Sequence, residues 1–269
     1  MFTLLGSKTI ETLTAFGAFW LFTWQMVYWL GLGLFQPRMW VRLLPQLFET
    51  GNRTLPVIAV TGTFVGLVLA VQSYDQLKAA GFEERMGVLV SLTLVPELGP
   101  VLAGVMLAGR IGGKLTAELG TMRVTEQIDA MGVIGTDPIK HLVVPRFLAC
   151  VLFSPLLTWF CDLCGSGAGW VVAVLIKGIP SKPYWYWIAY SVEWWDVMVG
   201  FIKSVVFGGT IGLIACYKGF TSRAGAEGVG RACTESFVAS FIAILAIDFF
   251  IGTMMSGLYR AIFGFKALI

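Results

Sequence analysis

The chain has 269 residues, of which 57% are hydrophobic and 13% charged, and its formal net charge is +3. A soluble domain carries roughly a quarter charged residues, and a surplus of apolar surface this large cannot be hidden in one soluble core, so the natural solvent is lipid. The few cations form no basic stripe, which argues against nucleic acid as a partner.

In chain order, the opening does not read as a cleavable signal peptide. Lys8 and Glu11 precede a long aromatic stretch, and no small-x-small site closes a short apolar core. Residues 12–35 hold Phe16, Phe19, Trp20, Phe22, Trp24, Tyr28, Trp29 and Phe35, with Arg38 and Arg42 close behind. Amphipathic rings at this density suit a helix lying in the membrane interface, with a sixth span as the alternative. Five segments, roughly 55–77, 86–109, 147–176, 198–217 and 237–258, are long and apolar enough to span a bilayer. Backbone groups in lipid must be satisfied within the segment, so the spans are helices, and no ten-residue barrel alternation is present. The third segment is longer than a span requires, so it tilts or extends past the membrane.

Orientation follows from Lys and Arg. With the N-terminus inside, the cytoplasmic parts carry Lys8, Arg38, Arg42, Arg53, Arg110, Lys114, Arg123, Lys140, Arg146, Lys218, Arg223 and Arg231. The outer parts carry Lys78, Arg85, Lys177, Lys182, Arg260 and Lys266. Twelve against six obeys the positive-inside rule. Cytoplasmic connections then fall around 110–146 and 218–236. Trp185, Trp187, Trp194 and Trp195 mark an outer-interface loop or short helix.

No G-x-x-x-x-G-K-[ST] exists. Its nearest approach, at Gly113-Lys114, has Ala108 for the first glycine and Leu115 for the magnesium-binding hydroxyl. Neither G-x-S-x-G nor zinc-ligand spacing occurs, so no catalytic or metal-binding residues are assigned. The five cysteines make no disulfide framework, and Cys161 and Cys164 read as small apolar residues on one helix face. His141, the single histidine, reads as a loop or helix-capping residue.

Three further features carry function. Thr116 to Met131 reads as an amphipathic helix with Leu119, Met122 and Ile128 as its apolar stripe, stopped by Gly132 and Gly135 and turned back at Asp137-Pro138. Such a helix either docks in a groove of another protein or lies on the membrane surface. Glu97, Asp162, Lys203 and Asp248 are ionisable residues inside spans, each costing about 2.5–3.5 kcal/mol at a helix centre unless partnered. Glu97 sits in VPELGP, where two prolines and a glycine are expected to interrupt the helix, giving either a gate or binding site or a structural kink. Lys203 and Asp248 fall on adjacent spans and are candidates for an ion pair. Glycines at 62 and 66, 165 and 169, and 208 and 212 mark faces of close helix approach, more often within a chain than between chains.

Beyond about residue 45 these residues resemble the MlaE/YrbE permeases. The resemblance rests on GTFVGLVLAVQSY (62–74), PELGPVLAGVMLAGRIGGKLTAELGTMRVTEQIDAMGV (96–133), DPIKHLVVPRFLA (137–149), KSVVFG (203–208) and GVGRACTESFVAS (228–240). It implies an all-α polytopic membrane protein: one permease domain over 1–269, with an N-terminal interfacial region (1–45) and a five-span core (46–269). It further implies a homodimer in the bacterial inner membrane with its N-terminus cytoplasmic. The expected partners are a cytoplasmic ABC ATPase holding the ATP and Mg, a periplasmic MCE-domain protein and a small cytoplasmic accessory protein. The expected cargo is phospholipid moved between the membranes, as in the maintenance of outer-membrane lipid asymmetry.

The family's coupling helix falls on 115–131, which makes Glu118, Arg123, Glu126 and Gln127 the candidate ATPase contacts. Its lipid pocket, carried over, places Leu69, Gln72, Tyr74 and Leu77 along one wall with Glu97 near it. Many relatives have an arginine before that glutamate; here Pro96 removes it and leaves Glu97 without its expected charge partner. Two other classes compete. An ion-coupled transporter or channel would use Glu97 and Asp248 as a relay, and a membrane-embedded lipid enzyme would need a catalytic set that is not seen.

Overall fold

A computed structural model describes residues 2–33 and 37–264. Phe35 and Lys266 lie outside the described residues, as do the side chains of Lys8, Glu11, Arg38 and Arg53. The described chain is helical throughout: α1 (Phe2–Gly33), α2 (Pro37–Ala80), α3 (Glu83–Val124), α4 (Gln127–Val133), α5 (Ile139–Ile176), α6 (Ser181–Ser191), α7 (Trp194–Phe220) and α8 (Ala226–Phe263). Five helices are long and apolar enough to cross a membrane: Thr54–Ala80 within α2, then α3, α5, α7 and α8. The chain is a multi-pass membrane protein. α1 is not among the five, and it exposes Phe16, Trp20, Trp24 and Tyr28 on one side while burying Phe22 and Met26 on the other.

The helices depart from the sequence expectations in four places. Pro37 starts a single 44-residue helix that runs through residue 45 into the first span, despite Pro45 and Pro56. VPELGP interrupts the α-ladder of α3 but does not break the helix. Residues Leu94–Leu98 form one widened turn in which the Gly99 N–H bonds the Leu94 carbonyl five residues back, so the proline is accommodated without a break. The expected amphipathic helix over 116–131 is two pieces. α3 continues unbroken to Val124, and the chain turns at Thr125 and Glu126, where Glu126 takes φ +59°. The connection expected over 218–236 shrinks to 221–225, because α8 already starts at Ala226.

Close approach holds the bundle together. An added Cβ at Gly62 would lie 2.7 Å from the Cys161 carbonyl oxygen, and one at Gly66 would run into the backbone of Gly165. One at Gly212 would lie 3.2 Å from Cys150 Cβ, and Gly208 likewise faces the Cys150 carbonyl. The glycine faces therefore seat α2 and α7 on either side of α5, inside one chain. Between them Ile58, Leu107, Leu157, Phe207, Ile211 and Ile244 fill a continuous core drawn from all five spans.

A second cluster, with Ala70, Met86, Val90 and Val172, closes one end under α6, whose Tyr184 is fully buried. Burial pushes the Tyr184 hydroxyl up to about 12. Its oxygen finds no hydrogen-bond partner among the described residues. An unmet buried hydroxyl is costly, so Tyr184→Phe is expected to raise thermal stability by about 1 kcal/mol in a detergent melt. A loss of that size instead would show that the hydroxyl is bonded.

At the opposite end α1 is tied to the core. Phe22 and Met26 pack with Leu119, Val143 and Cys216. The Trp29 indole N–H donates to Asp137 Oδ2 (2.7 Å), and Lys140 Nζ sits 4.7 Å from the Trp29 ring centroid. Asp137 Oδ1 accepts the Ile139 N–H (2.9 Å), so one carboxylate starts α5 and anchors α1. His141 lies in the first turn of α5, where its Nδ1 accepts from Arg42 of α2.

Candidate functional site

Three of the intramembrane charges meet. Lys203 on α7 is completely buried, and its Nζ lies 2.5 Å from Glu97 Oε2 and 2.9 Å from Asp248 Oδ1. Glu97 stands in the widened turn of α3 and Asp248 on α8, so one ammonium joins three spans. Glycines make the room. Gly200, one turn before Lys203, presses against the Val95 carbonyl, and an added Cβ at Gly252 would lie 3.5 Å from Lys203 Nζ and 3.7 Å from Glu97 Oε1. Glu97 is still half-exposed, so the group is buried on the lysine side and open at the glutamate. Lys203 is the partner that Glu97 finds. That pairing escaped the sequence reading, although Lys203 was the only cation inside a span. Asp162 stands apart from this group. It is buried against Gly99 on the seam between α3 and α5.

The four residues placed on a pocket wall do not share one face. Residues two apart on a helix point about 200° apart, and Gln72 is exposed while Tyr74 turns inward, 4.3 Å from Lys177 Nζ at its ring centroid. Leu69, Tyr74 and Leu77 pack on the Met86 and Val172 cluster beneath α6. Glu97 is bound instead to α7.

The turn between α3 and α4 forms an exposed corner. Arg123 pairs with Asp129 across it, and Ile128 is buried beneath. Glu118 is engaged inside the chain, 3.4 Å from Lys114 and 3.3 Å from the buried Arg146. Glu126 and Gln127 project at the apex. Val133 and Ile134, which the sequence reading did not single out, are 89% and 79% exposed just past it. Two adjacent aliphatic side chains are thus left bare beside a charged apex. Their signal in the sequence was their position between Gly132 and Gly135, outside any apolar repeat. Among the described residues no group of three or more His, Cys, Asp or Glu is placed to hold a metal.

The described residues thus form a five-span bundle in which Lys203, Glu97 and Asp248 join three spans and an exposed corner stands at one end. The chain belongs to the MlaE permease family, which matches residues 43–254. It is similar to a probable ABC transporter permease protein of Rickettsia felis, 41% identical over 92% of this chain and 94% of that protein. A Synechocystis protein with the same description is 38% identical over 79% and 81%. The intermembrane phospholipid transport system permease protein MlaE of Haemophilus influenzae is 36% identical over 80% and 83%. The chain is thus an ABC transporter permease, the non-catalytic transmembrane subunit that works beside a separate ATPase.

Proposed function

We propose that this permease moves phospholipid out of, or into, a bacterial inner membrane, with its N-terminus cytoplasmic, working as a homodimer. The cytoplasmic ATPase, which holds the ATP and Mg, docks at the corner 124–134. A periplasmic MCE-domain protein receives or delivers the lipid, and a small accessory protein binds on the cytoplasmic side. The Haemophilus relative, named for intermembrane phospholipid transport, supports the cargo. The apolar surfaces of α2 (Val60, Phe64, Val68) and α8 (Phe241, Leu245, Phe249) are open enough to meet lipid and a second copy.

The observation that carries the coupling step is the exposed corner itself. Glu126 and Gln127 project from it beside Val133 and Ile134, and the Arg123–Asp129 pair and buried Ile128 hold its shape. Because Glu126 has a positive φ, glycine removes its carboxylate without disturbing the turn. In proteoliposomes holding the permease and its ATPase, Glu126→Gly with Gln127→Ala is expected to leave basal ATP hydrolysis intact. Lipid transport per ATP should fall by about tenfold or more, the loss of one to two charge-assisted contacts. Coupling equal to wild type would remove the corner from the mechanism. Transport by the chain alone, driven by an ion gradient, would overturn the ABC reading in favour of a carboxylate relay.

A further inference from the structure

Away from both the charged node and the corner, a cleft of about 270 Å³ opens where α7 ends and α8 begins. It is walled by Tyr217, Lys218, Ser222, Arg223 and Arg231, with Ala15 of α1 on its far side and Glu235 at its base. The charges do not cancel. Glu235 accepts from Lys218 (2.9 Å) and lies 3.3 Å from Arg231, so one carboxylate is shared by two cations. These two contacts hold the Glu235 side chain back against the helices. Arg223, on the short turn 221–225, makes no ion pair among the described residues. Three cations against one anion leave the cleft with an excess positive charge.

The backbone keeps the cleft open. Gly228 lets the turn fold back so that the Arg223 carbonyl presses on α8; any side chain there would collide with it. The α8 N-terminus beside it has no side-chain cap. The surroundings suit a membrane surface. Tyr217 donates to the Ala15 carbonyl (3.4 Å) and stacks edge-on with Phe19 and Phe22 (5.1 and 5.6 Å), seating α1 against α7. Beside it α1 exposes Phe16 and Trp20, rings suited to the acyl-chain boundary.

We propose that this cleft is a phosphate site occupied by the headgroup of an anionic phospholipid of the leaflet on which α1 lies, held by Arg223, Arg231 and Lys218 while its chains run along Phe16 and Trp20. The bound lipid bridges α1 and the α7–α8 turn. It is a fixed constituent, distinct from any transported molecule.

Each basic side chain facing an anionic lipid surface contributes about fivefold in affinity. In native mass spectrometry of the full chain released from nanodiscs of equal phosphatidylglycerol and phosphatidylethanolamine, wild type is expected to retain phosphatidylglycerol preferentially. Arg223→Gln with Arg231→Gln should reduce that retention roughly 25-fold, with no change in elution volume or in retained phosphatidylethanolamine. Arg223→Gln alone, on an exposed turn, should give about fivefold, which separates the site from any general loss of folding. Equal retention of both lipids by wild type, or a double variant that keeps its phosphatidylglycerol, would overturn the proposal. Displacement of the lipid by 10 mM inorganic phosphate would also overturn it, in favour of a soluble anion.

Discussion

Lys203→Met is expected to be the most damaging single change in the chain. It leaves Glu97 and Asp248 facing each other across the space of a buried ammonium, and removing one member of a buried ionic group costs about 3–5 kcal/mol. In detergent the variant should lose most of its monodisperse fraction, with a melt many degrees below wild type. The triple change Lys203→Met, Glu97→Gln, Asp248→Asn should recover much of the loss, because no charge is then stranded in lipid. A Lys203→Met protein that melts like wild type would mean that the three groups are independently solvated. Exchanging the charges of Lys203 and Asp248 is a poorer test than the pair alone would suggest. Glu97 would then lie against a carboxylate at 203.

A comparable collapse is expected for Gly66→Val. The neighbouring atoms are the backbone of Gly165, which no rotamer change can move aside, so α2 and α5 must separate along their seam. Overpacking a fitted interior typically costs about 1–3 kcal/mol, and a rigid backbone opposite places this site at the top of that range. Gly257→Ala is the matched control. Nothing lies within 4 Å of an added Cβ there, and alanine favours a helix interior by about 1 kcal/mol, so it should melt slightly higher than wild type. Equal melts for the two variants would remove close α2–α5 packing as the reason for the glycine.

The spans were legible in the sequence because hydrophobicity at this length has one physical outcome, and the boundaries fell within a few residues except where helices outran their apolar cores. α3 shows why. Its last turns, with Lys114, Glu118 and Arg123, are polar enough to read as a separate surface helix. Leu119 is in fact buried against α7, and the helix never stops until Thr125. Composition cannot distinguish a helix that leaves the membrane from one that begins outside it. The VPELGP expectation was met in the ladder but not as a break in the helix. Proline removes a donor, but a turn widened by one residue absorbs that loss without breaking the rod.

Among the site residues, Lys203, Glu97 and Asp248 could each be picked out as charges in lipid. Which of them met could not, since that depends on how α7 and α8 are rotated. Gln72 and Tyr74 illustrate the converse. Their chemistry was plausible for one wall, yet their spacing already set them on different sides of α2.

The unbroken course of α3 has a mechanical consequence. About 26 residues, or roughly 40 Å of helix, separate the turn holding Glu97 from Val124 at the corner. A loop of that span would soak up a push at one end as local bending. A helix without a gap, its ladder widened only at Leu94–Leu98 and Ala108–Gly112, passes more of a tilt at its exposed tip on to the Glu97–Lys203 contact. A contact made at hydrogen-bond distance is sensitive to small shifts.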